Sequence, residues 1–453
     1  MQKNEIFEAD VLDLTHEGLG VVRVSGFPVF VENALPGETI RGKIVKVGKQ
    51  FAFGRVEELL VTSPHRLLDV KRDYLRTGIA DLAHLDYAAQ LAFKRQQVVV
   101  ALSKNAGLSD FPVEAVIGAQ EPLHYRNKAQ IPVREIAGEI QTGFFRKNSH
   151  ELIAIEDFYI QEPTLDRLIL RVRDLAREMG LSAYDETSKK GLLRNLVLRR
   201  GAHTGEIMLV FVATAFDARL RELADTLHKE EPKLVSILVS RNTTSGNAIL
   251  GADFEVLYGR DTIRDTMLGK SFDISAAAFY QVNTSQAERL YQAAYDFAEL
   301  KASDVIVDAY AGIGTIGLCA SDQVAEIYGM EVVPEAVVDA QHNAVLNGVA
   351  EKAHYEVGKA EEVMPKWLSR GVRADVIFVD PPRKGLEASF IETAASMGAR
   401  QIVYISCNPA TFARDVKLLS EQGYALESVQ PVDLFPQTHH IELVGDFHAR
   451  ASL

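Results

Sequence analysis

The spacing of apolar and polar residues divides the chain into stretches of different texture. Residues 4 to about 60 alternate with period two, as short strands: Ile6 to Leu12, Gly20 to Val24, Pro28 to Val31, Thr39 to Val47 and Phe51 to Val56. Glu17-Gly18, Ser25-Gly26, Pro36-Gly37 and Gly48-Lys49 mark the turns between them. Five strands in so short a span predict a small closed barrel over residues 1–60. Ser63 to Tyr87 is a charged, weakly periodic link. A helix predicted over 88–106 gathers Leu91, Val98, Val99 and Leu102 on one face, which suits packing on the carboxyl-terminal domain. From about 124 to 260 strands and helices alternate, giving a central α+β domain over 61–265.

From Phe272 onward the rhythm is regular. A helix with Leu290, Ala293, Ala294, Phe297 and Ala298 on one face leads into the strand Val305 to Val307. Further strands are predicted at 326–328, 355–357, 376–379 and 402–405 with helices between them. That order predicts an α/β fold with a mostly parallel, Rossmann-like sheet over residues 266–453.

Composition narrows the class. A chain of 453 residues with 47% hydrophobic content builds packed cores and is neither disordered nor fibrous. Cys319 and Cys407 are the only cysteines, so no disulfide framework is expected. The start Met1-Gln2-Lys3-Asn4-Glu5 carries neither the charged nor the apolar region of a leader, and both facts predict a reducing cytoplasm. No run approaches the roughly 18 apolar residues of a membrane span. The net charge of −13 argues against nonspecific binding to polyanions. Local excesses run the other way. Arg41, Lys43, Lys46, Lys49 and Arg55 crowd the second half of the barrel, and Lys189, Lys190, Arg194, Arg199 and Arg200 occur without one intervening carboxylate. With Arg126, Lys128, Arg146 and nearby aromatics, these predict an RNA-binding face.

The candidate chemistry sits at strand ends. Gly312, Gly314 and Gly317 form a G-x-G-x-x-G turn after a strand, and Glu331 ends the next strand, where a carboxylate can accept both ribose hydroxyls. A nicotinamide dinucleotide and S-adenosylmethionine both suit such a turn. The second has no pyrophosphate and presents an ammonium and a sulfonium, for which Asp308 is a suitable carboxylate. Asp380-Pro381-Pro382-Arg383 closes the fourth strand on a stiffened loop. Phe279-Tyr280-Gln281-Val282-Asn283 offers amides and aromatic faces, or simply a helix cap. Tyr404-Ile405-Ser406-Cys407-Asn408-Pro409 leaves a thiol at the carboxyl end of a buried strand, where it faces the ligand crevice.

With these motifs in order, followed by Phe435-Pro436-Gln437-Thr438-His439-His440-Ile441-Glu442, the chain resembles the RNA uracil-5-methyltransferases over nearly its whole length. Glu32-Asn33-Ala34-Leu35-Pro36-Gly37-Glu38 resembles a turn of the TRAM domain, an OB-like module of RNA-modifying enzymes, and this points to the branch that modifies 23S ribosomal RNA. The resemblance implies a class I methyltransferase fold. In it Gln281, Tyr310, Glu331 and Asp380 hold S-adenosylmethionine, assisted by Asp308, Gly312 and Gly314. Cys407 is implied as nucleophile and Glu442 as general base. Arg126, Lys128, Arg146, Arg194, Phe279, Asn283 and Arg383 are the expected RNA contacts, and a monomer is expected.

Many relatives carry four cysteines for an iron–sulfur cluster between the barrel and the central domain. Here Thr77 and Ala80, within Tyr74 to Leu85, stand where a cysteine pair would be expected, so a cluster-free, metal-free enzyme is implied. A transfer-RNA uracil-5-methyltransferase shares the catalytic motifs but usually lacks the barrel. A nicotinamide oxidoreductase leaves Cys407 and Glu442 idle, and a noncatalytic RNA-binding protein accounts only for the first half of the chain.

Overall fold

The structure is a computed structural model that describes residues 1–450. The first sheet has six strands in the order Ile6–Asp10, Thr39–Val47, Ala52–Val61, Phe27–Glu32, Gly20–Val24 and Asp13–Leu14. It wraps around Phe7, Val22, Val29, Val31, Ile40 and Ile44. Gly42 exists for that core, because a Cβ there would lie 2.3 Å from the Phe7 ring. The sixth strand, Asp13–Leu14, is two residues long, too short for alternation to reveal.

The predicted link is folded. Arg72–Thr77 is a helix closed by Gly78 in the left-handed conformation, and Tyr74, Leu75, Ala80 and Ala83 form a small core with Ile160. Tyr74 stacks on Tyr159 at 4.5 Å. Arg66 pairs with the fully buried Glu38 at 2.5 Å and ties this segment to the barrel. The predicted helix spans Tyr87–Ala101 and continues as a π-helical turn over Leu102–Ala106. Its Val98 and Leu102 share a core with Phe412, Phe390 and Leu443 of the last domain.

The central sheet has seven strands ordered Asp253–Gly259, Leu234–Arg241, Ile207–Ala213, Leu193–Arg200, Lys128–Ile136, Glu139–Phe145 and Leu152–Ala154. The helices Pro163–Glu178 and Ala218–Glu230 cover one face. The other face, through Val197, Met208, Val210 and Val212, joins the core of the helix Thr284–Ala298. Burial on both faces explains the uninterrupted run Ile207-Met208-Leu209-Val210-Phe211-Val212.

The last sheet has the order Ala353–Val357, Glu326–Glu331, Val305–Ala309, Val376–Val379, Gln401–Ser406, Glu442–Ala449 and Tyr424–Val432. The first five strands are parallel, while Glu442–Ala449 runs antiparallel to both neighbours. Sequence periodicity did not reveal these last two strands. Glu442 consequently stands at the start of an interior strand.

A buried ion pair joins the amino-terminal helix to the loop that leads into that strand. Lys94 Nζ lies 2.5 Å from Asp433 Oδ1 with both side chains fully buried, and donates to the Phe435 carbonyl at 3.1 Å. Tyr87 donates to the other Asp433 oxygen at 2.8 Å. Removing one partner of such a pair strands a charge in the core. Lys94→Met is expected to cost about 3–5 kcal/mol, and Lys94→Met combined with Asp433→Leu to recover most of it. Urea unfolding monitored by far-UV circular dichroism checks this; a single variant as stable as the wild type contradicts it.

Candidate active site

The thiol and the carboxylate meet through strand register. Ser406 pairs with Leu443 across the antiparallel ladder, so the next residues outward, Cys407 and Glu442, face one another at the sheet's crevice edge. Asp380 leaves the adjacent strand one residue beyond the Val379–Tyr404 pair. Three acidic groups thus gather at one edge. Burial, then Glu442 and Asp380, push the Cys407 thiol up to about 11, and Arg383 opposes them. Burial pushes Asp380 up to about 7. Burial and Asp380 also push Glu442 well above the usual carboxylate range, again with Arg383 opposing.

Asn408 shapes the turn after the thiol. Its side chain caps the helix Pro409–Glu421 by accepting from Ala410 and Thr411 and donates to the Arg383 carbonyl at 3.1 Å, which locks the two motifs together. A cavity of about 420 Å³ opens beside them. Cys407, Asn408, Arg383, His439 and His440 line it, with Gln97 of the helix Tyr87–Ala101, Lys104 and Asn105 of the π-helical turn that follows, and His16 and Glu17 of the barrel. That volume falls in the small-ligand range.

The loop before Glu442 is held from outside its own sheet. Asp81 accepts from the His439 backbone and meets its Nδ1 at 2.6 Å. Gln90 bonds Gln437 through both side chain and backbone, and Tyr125 donates to the Pro436 carbonyl at 2.9 Å. Gln437 has a φ of 69°, an uncommon value for a residue other than glycine. His440 lies 3.3 Å from Arg383, and burial and the surrounding positive charge lower it to about 4, which keeps it neutral. Sequence reading missed Asp81, Gln90 and Lys94, because nothing in the local pattern signals a contact some 350 residues away.

At the glycine turn, Gly312 and Gly314 take φ of 55° and 85° and Tyr310 takes 64°. A Cβ on Gly314 would lie 2.6 Å from the Tyr355 hydroxyl. Glu331 reaches back to accept from Gly312 N at 3.2 Å and from Val332 and Val333. Val332 and Val333 stay exposed, an apolar pair at the tip of this strand. Gln281 is buried beside the turn into the helix Thr284–Ala298, and Phe279 is 67% exposed. Glycines in the left-handed region, a carboxylate at the second strand tip and an exposed apolar pair fit an adenosine-bearing cofactor.

Three expectations need correction. Asp308 is fully buried: one oxygen accepts from Gly317 N at 2.8 Å and the other has no partner among the described residues, so it supports the turn with no surface toward a ligand ammonium. Burial raises it to about 7. Asn283 is a buried helix cap, accepting from Gln286 N and donating to the Leu434 carbonyl at 3.1 Å, and is not available to RNA. Arg194 lies over the Tyr184 ring at 4.5 Å and donates to the Asn242 and Thr244 carbonyls, and Arg199 is likewise buried, because their strand is covered on both faces. The barrel cluster is partly neutralised as well. Arg41 pairs with Glu8 and Glu58, and Arg55 with Glu57. Arg146 is exposed and meets Glu151 at 3.3 Å. Sequence reading passed over Phe30, Phe51 and Phe53, whose rings cluster at 5.2–6.1 Å on the barrel with Lys46 paired across from Phe53. Among the described residues no group of three His, Cys, Asp or Glu side chains could hold a metal ion, and no helix is long and apolar enough to cross a membrane.

Comparison with known proteins decides the family. The profile of the tRNA (uracil-5-)-methyltransferases matches residues 86–447, and that of the TRAM domain matches residues 2–56. The chain belongs to the RNA uracil-5-methyltransferase family, with a TRAM domain at its amino terminus. It is 57% identical to YljE, an uncharacterised RNA methyltransferase of Lactococcus lactis subsp. lactis, over 99% of this chain and 98% of that one. It is 53% identical to an uncharacterised RNA methyltransferase of Streptococcus mutans over 98% and 99%. Among solved structures it resembles the Pyrococcus abyssi tRNA (uracil-54, C5)-methyltransferase in complex with S-adenosyl-L-homocysteine. That likeness has a TM-score of 0.78 and 28% identity, and covers 97% of this chain and 100% of that one. The fold is therefore that of a Rossmann-like methyltransferase carrying an amino-terminal TRAM barrel.

The two thiols differ in access. Cys319 is buried, with its Sγ 3.3 Å from the Met267 carbonyl and its pKa raised by burial, while Cys407 lines the cavity. Iodoacetamide is expected to alkylate Cys407 alone in the native protein. Because only the thiolate reacts, the rate should climb with pH through neutrality toward about 11 and be slower in Arg383→Ala. Peptide mapping with a pH series checks this; equal labelling of Cys319 contradicts it.

Proposed function

We propose that this enzyme transfers a methyl group to C5 of uridine in 23S ribosomal RNA, with Cys407 as covalent nucleophile and Glu442 as general base. The observation that carries the reading is the cross-strand meeting of Cys407 and Glu442 at the crevice edge, with Cys407 opening into a cavity large enough for a nucleotide. S-adenosylmethionine supplies the electrophilic methyl. Gln281, Tyr310, Glu331 and Asp380, around the Gly312–Gly314 turn, would hold it.

C5 of uracil is too weak a nucleophile to take a methyl group unaided. The Cys407 thiol loses its proton to solvent in the cavity and the thiolate adds to C6, moving the C5–C6 electron pair toward C5 and O4 as an enolate. C5 would then take the methyl as the sulfonium S–CH3 bond breaks, its electron pair leaving with S-adenosylhomocysteine; the Glu442 carboxylate removes the proton left on C5, and the C6–S bond breaks to return the thiolate. Arg383 favours the anionic form of both Cys407 and Glu442. The target base must leave its stack to reach the thiol. Exposed Phe279 and the Phe30, Phe51 and Phe53 group offer stacking faces, while Arg383, Lys104 and Arg146 offer positive charge along the path.

Transfer RNA is the second reading. The likeness to the Pyrococcus abyssi transfer-RNA enzyme extends over 97% of this chain, so the barrel alone does not exclude that substrate. Mass-spectrometric mapping of 5-methyluridine in ribosomal and transfer RNA, from cells with and without the gene, separates the two. Loss from 23S ribosomal RNA is expected; loss confined to transfer RNA establishes the second reading, and no loss in either contradicts both.

A further inference from the structure

Lys128 and Arg199 stand directly opposite one another on antiparallel strands, and Arg126 lies two residues before Lys128. Like charges in opposed cross-strand positions destabilise a sheet, yet among the described residues no acid pairs with these. Arg126 Nε donates to the Lys128 carbonyl at 3.0 Å, and Arg199 Nη2 donates to the Ala278 carbonyl at 2.8 Å. Arg199 is only 3% exposed, and its Nη1 is buried without an acceptor among the described residues. The acids on the neighbouring segment are otherwise engaged. Glu162 caps a helix through Thr164 and Leu165 and faces Arg200 at 3.9 Å, and Asp166 accepts from Gln161 and Phe158. The other titratable groups on these elements also have partners: His124 Nδ1 lies 3.2 Å from the Gln161 carbonyl, Tyr125 donates to Pro436, and Tyr280 donates to Thr266. Three cations, one with an orphaned buried donor, are thus held together at a cost in stability with nothing among the described residues to balance them.

Their position relates them to the active site. Arg199 bonds the residue just before Phe279, and Asn127, between Arg126 and Lys128, bonds the Val282 and Gln281 backbone and the Thr284 hydroxyl. The cluster is therefore stitched to the segment that carries the exposed Phe279 and the buried Gln281. Lys128 retains surface, whereas Arg199, on the neighbouring strand, is buried.

We propose that Lys128, backed by Arg126 and Arg199, is the seat of a backbone phosphate of the RNA substrate, adjoining the base that stacks on Phe279. This rests on RNA being the substrate and identifies one of its anchoring points. Burial first, then Arg199 and Arg126, lower Lys128 to about 7, so in the free protein its amine is partly neutral at physiological pH. The phosphate takes the ammonium form. Binding therefore draws onto Nζ the fraction of a proton missing in the free protein, which approaches one well above pH 7, and affinity is greatest below about pH 7 and weakens as pH rises.

The test is fluorescence anisotropy of the full-length protein with a labelled single-stranded oligouridylate, over a pH series from about 6 to about 8.5 and a salt series at each end. Wild-type affinity should fall as pH rises, approaching tenfold per unit over part of the range. Lys128→Arg, which cannot lose its proton there, should bind with a flatter pH profile. Lys128→Ala should bind weakly throughout, with a salt slope smaller by about 0.7 to 0.9. A flat wild-type profile, an unchanged profile in Lys128→Arg (which would point to a group such as His124), unchanged affinity in Lys128→Ala, or no wild-type binding at low salt would each overturn the proposal. Trapping of labelled RNA on Cys407, run in parallel, reports separately on the catalytic reading: binding linkage without an adduct would sink that reading and leave the phosphate site standing.

Discussion

The reversed direction of one strand is the constraint on which the rest of this candidate active site depends. Five parallel strands deliver their carboxyl ends to a crevice, and that edge supplies Glu331, Asp380 and Cys407. Only a strand entering from the same edge can place its first residue there, and Glu442–Ala449 does so beside Gln401–Ser406. The loop that makes the entry, Asp433 to Ile441, is not fixed by its own sheet. Lys94, Tyr87, Gln90, Asp81 and Tyr125 hold it, and all come from the amino-terminal segments between barrel and central sheet. The segments that reach the barrel are therefore the ones that set where Glu442 stands. A buried ion pair is a poor source of net stability but a specific one, since a shifted loop would leave Lys94 and Asp433 both unpaired.

The electrostatics follow from that crowding. Burial disfavours the charged forms of Cys407, Asp380 and Glu442, the neighbouring carboxylates add to this at Cys407 and Asp380 adds to it at Glu442, and Arg383 is the cation that opposes it at both Cys407 and Glu442. Such a site accumulates negative charge reluctantly, and a positively charged ligand in the crevice would relieve it. That is the electrostatic complement of a sulfonium and an ammonium, and it agrees with the family to which the chain belongs.

Much of this was legible in the sequence because the site residues end strands. Period-two or continuous apolar runs stop at Asp308, Glu331, Asp380 and Cys407, and Gly or Pro punctuates the turn after each of the first, third and fourth. What was not legible lies in tertiary context. Arg194 and Arg199 look like a basic strand face until the helices on one side and the Thr262–Ser275 hairpin on the other cover both surfaces. Asn283 and Asp308 looked like ligand groups, but short polar side chains next to a helix start or a glycine turn find backbone N–H partners first. Ser63 to Tyr87 seemed a mere link because its apolar residues, Tyr74, Leu75, Ala80 and Ala83, pack against a distant segment without a helical or strand period.

The central claim is that nucleophile and base act at opposite ends of one covalent pathway, and a denaturing gel tests it most directly. Each variant is incubated with a uridine-containing substrate RNA and S-adenosylmethionine, and any crosslink is mapped to its peptide. Cys407→Ala should form no adduct. Glu442→Gln keeps the thiol and the cofactor residues, so addition to C6 and methylation of C5 proceed while proton removal stalls, and a denaturant-resistant protein–RNA complex should accumulate on Cys407. A crosslink mapped to Cys319, or full turnover by Glu442→Gln with no trapped species, would contradict the account.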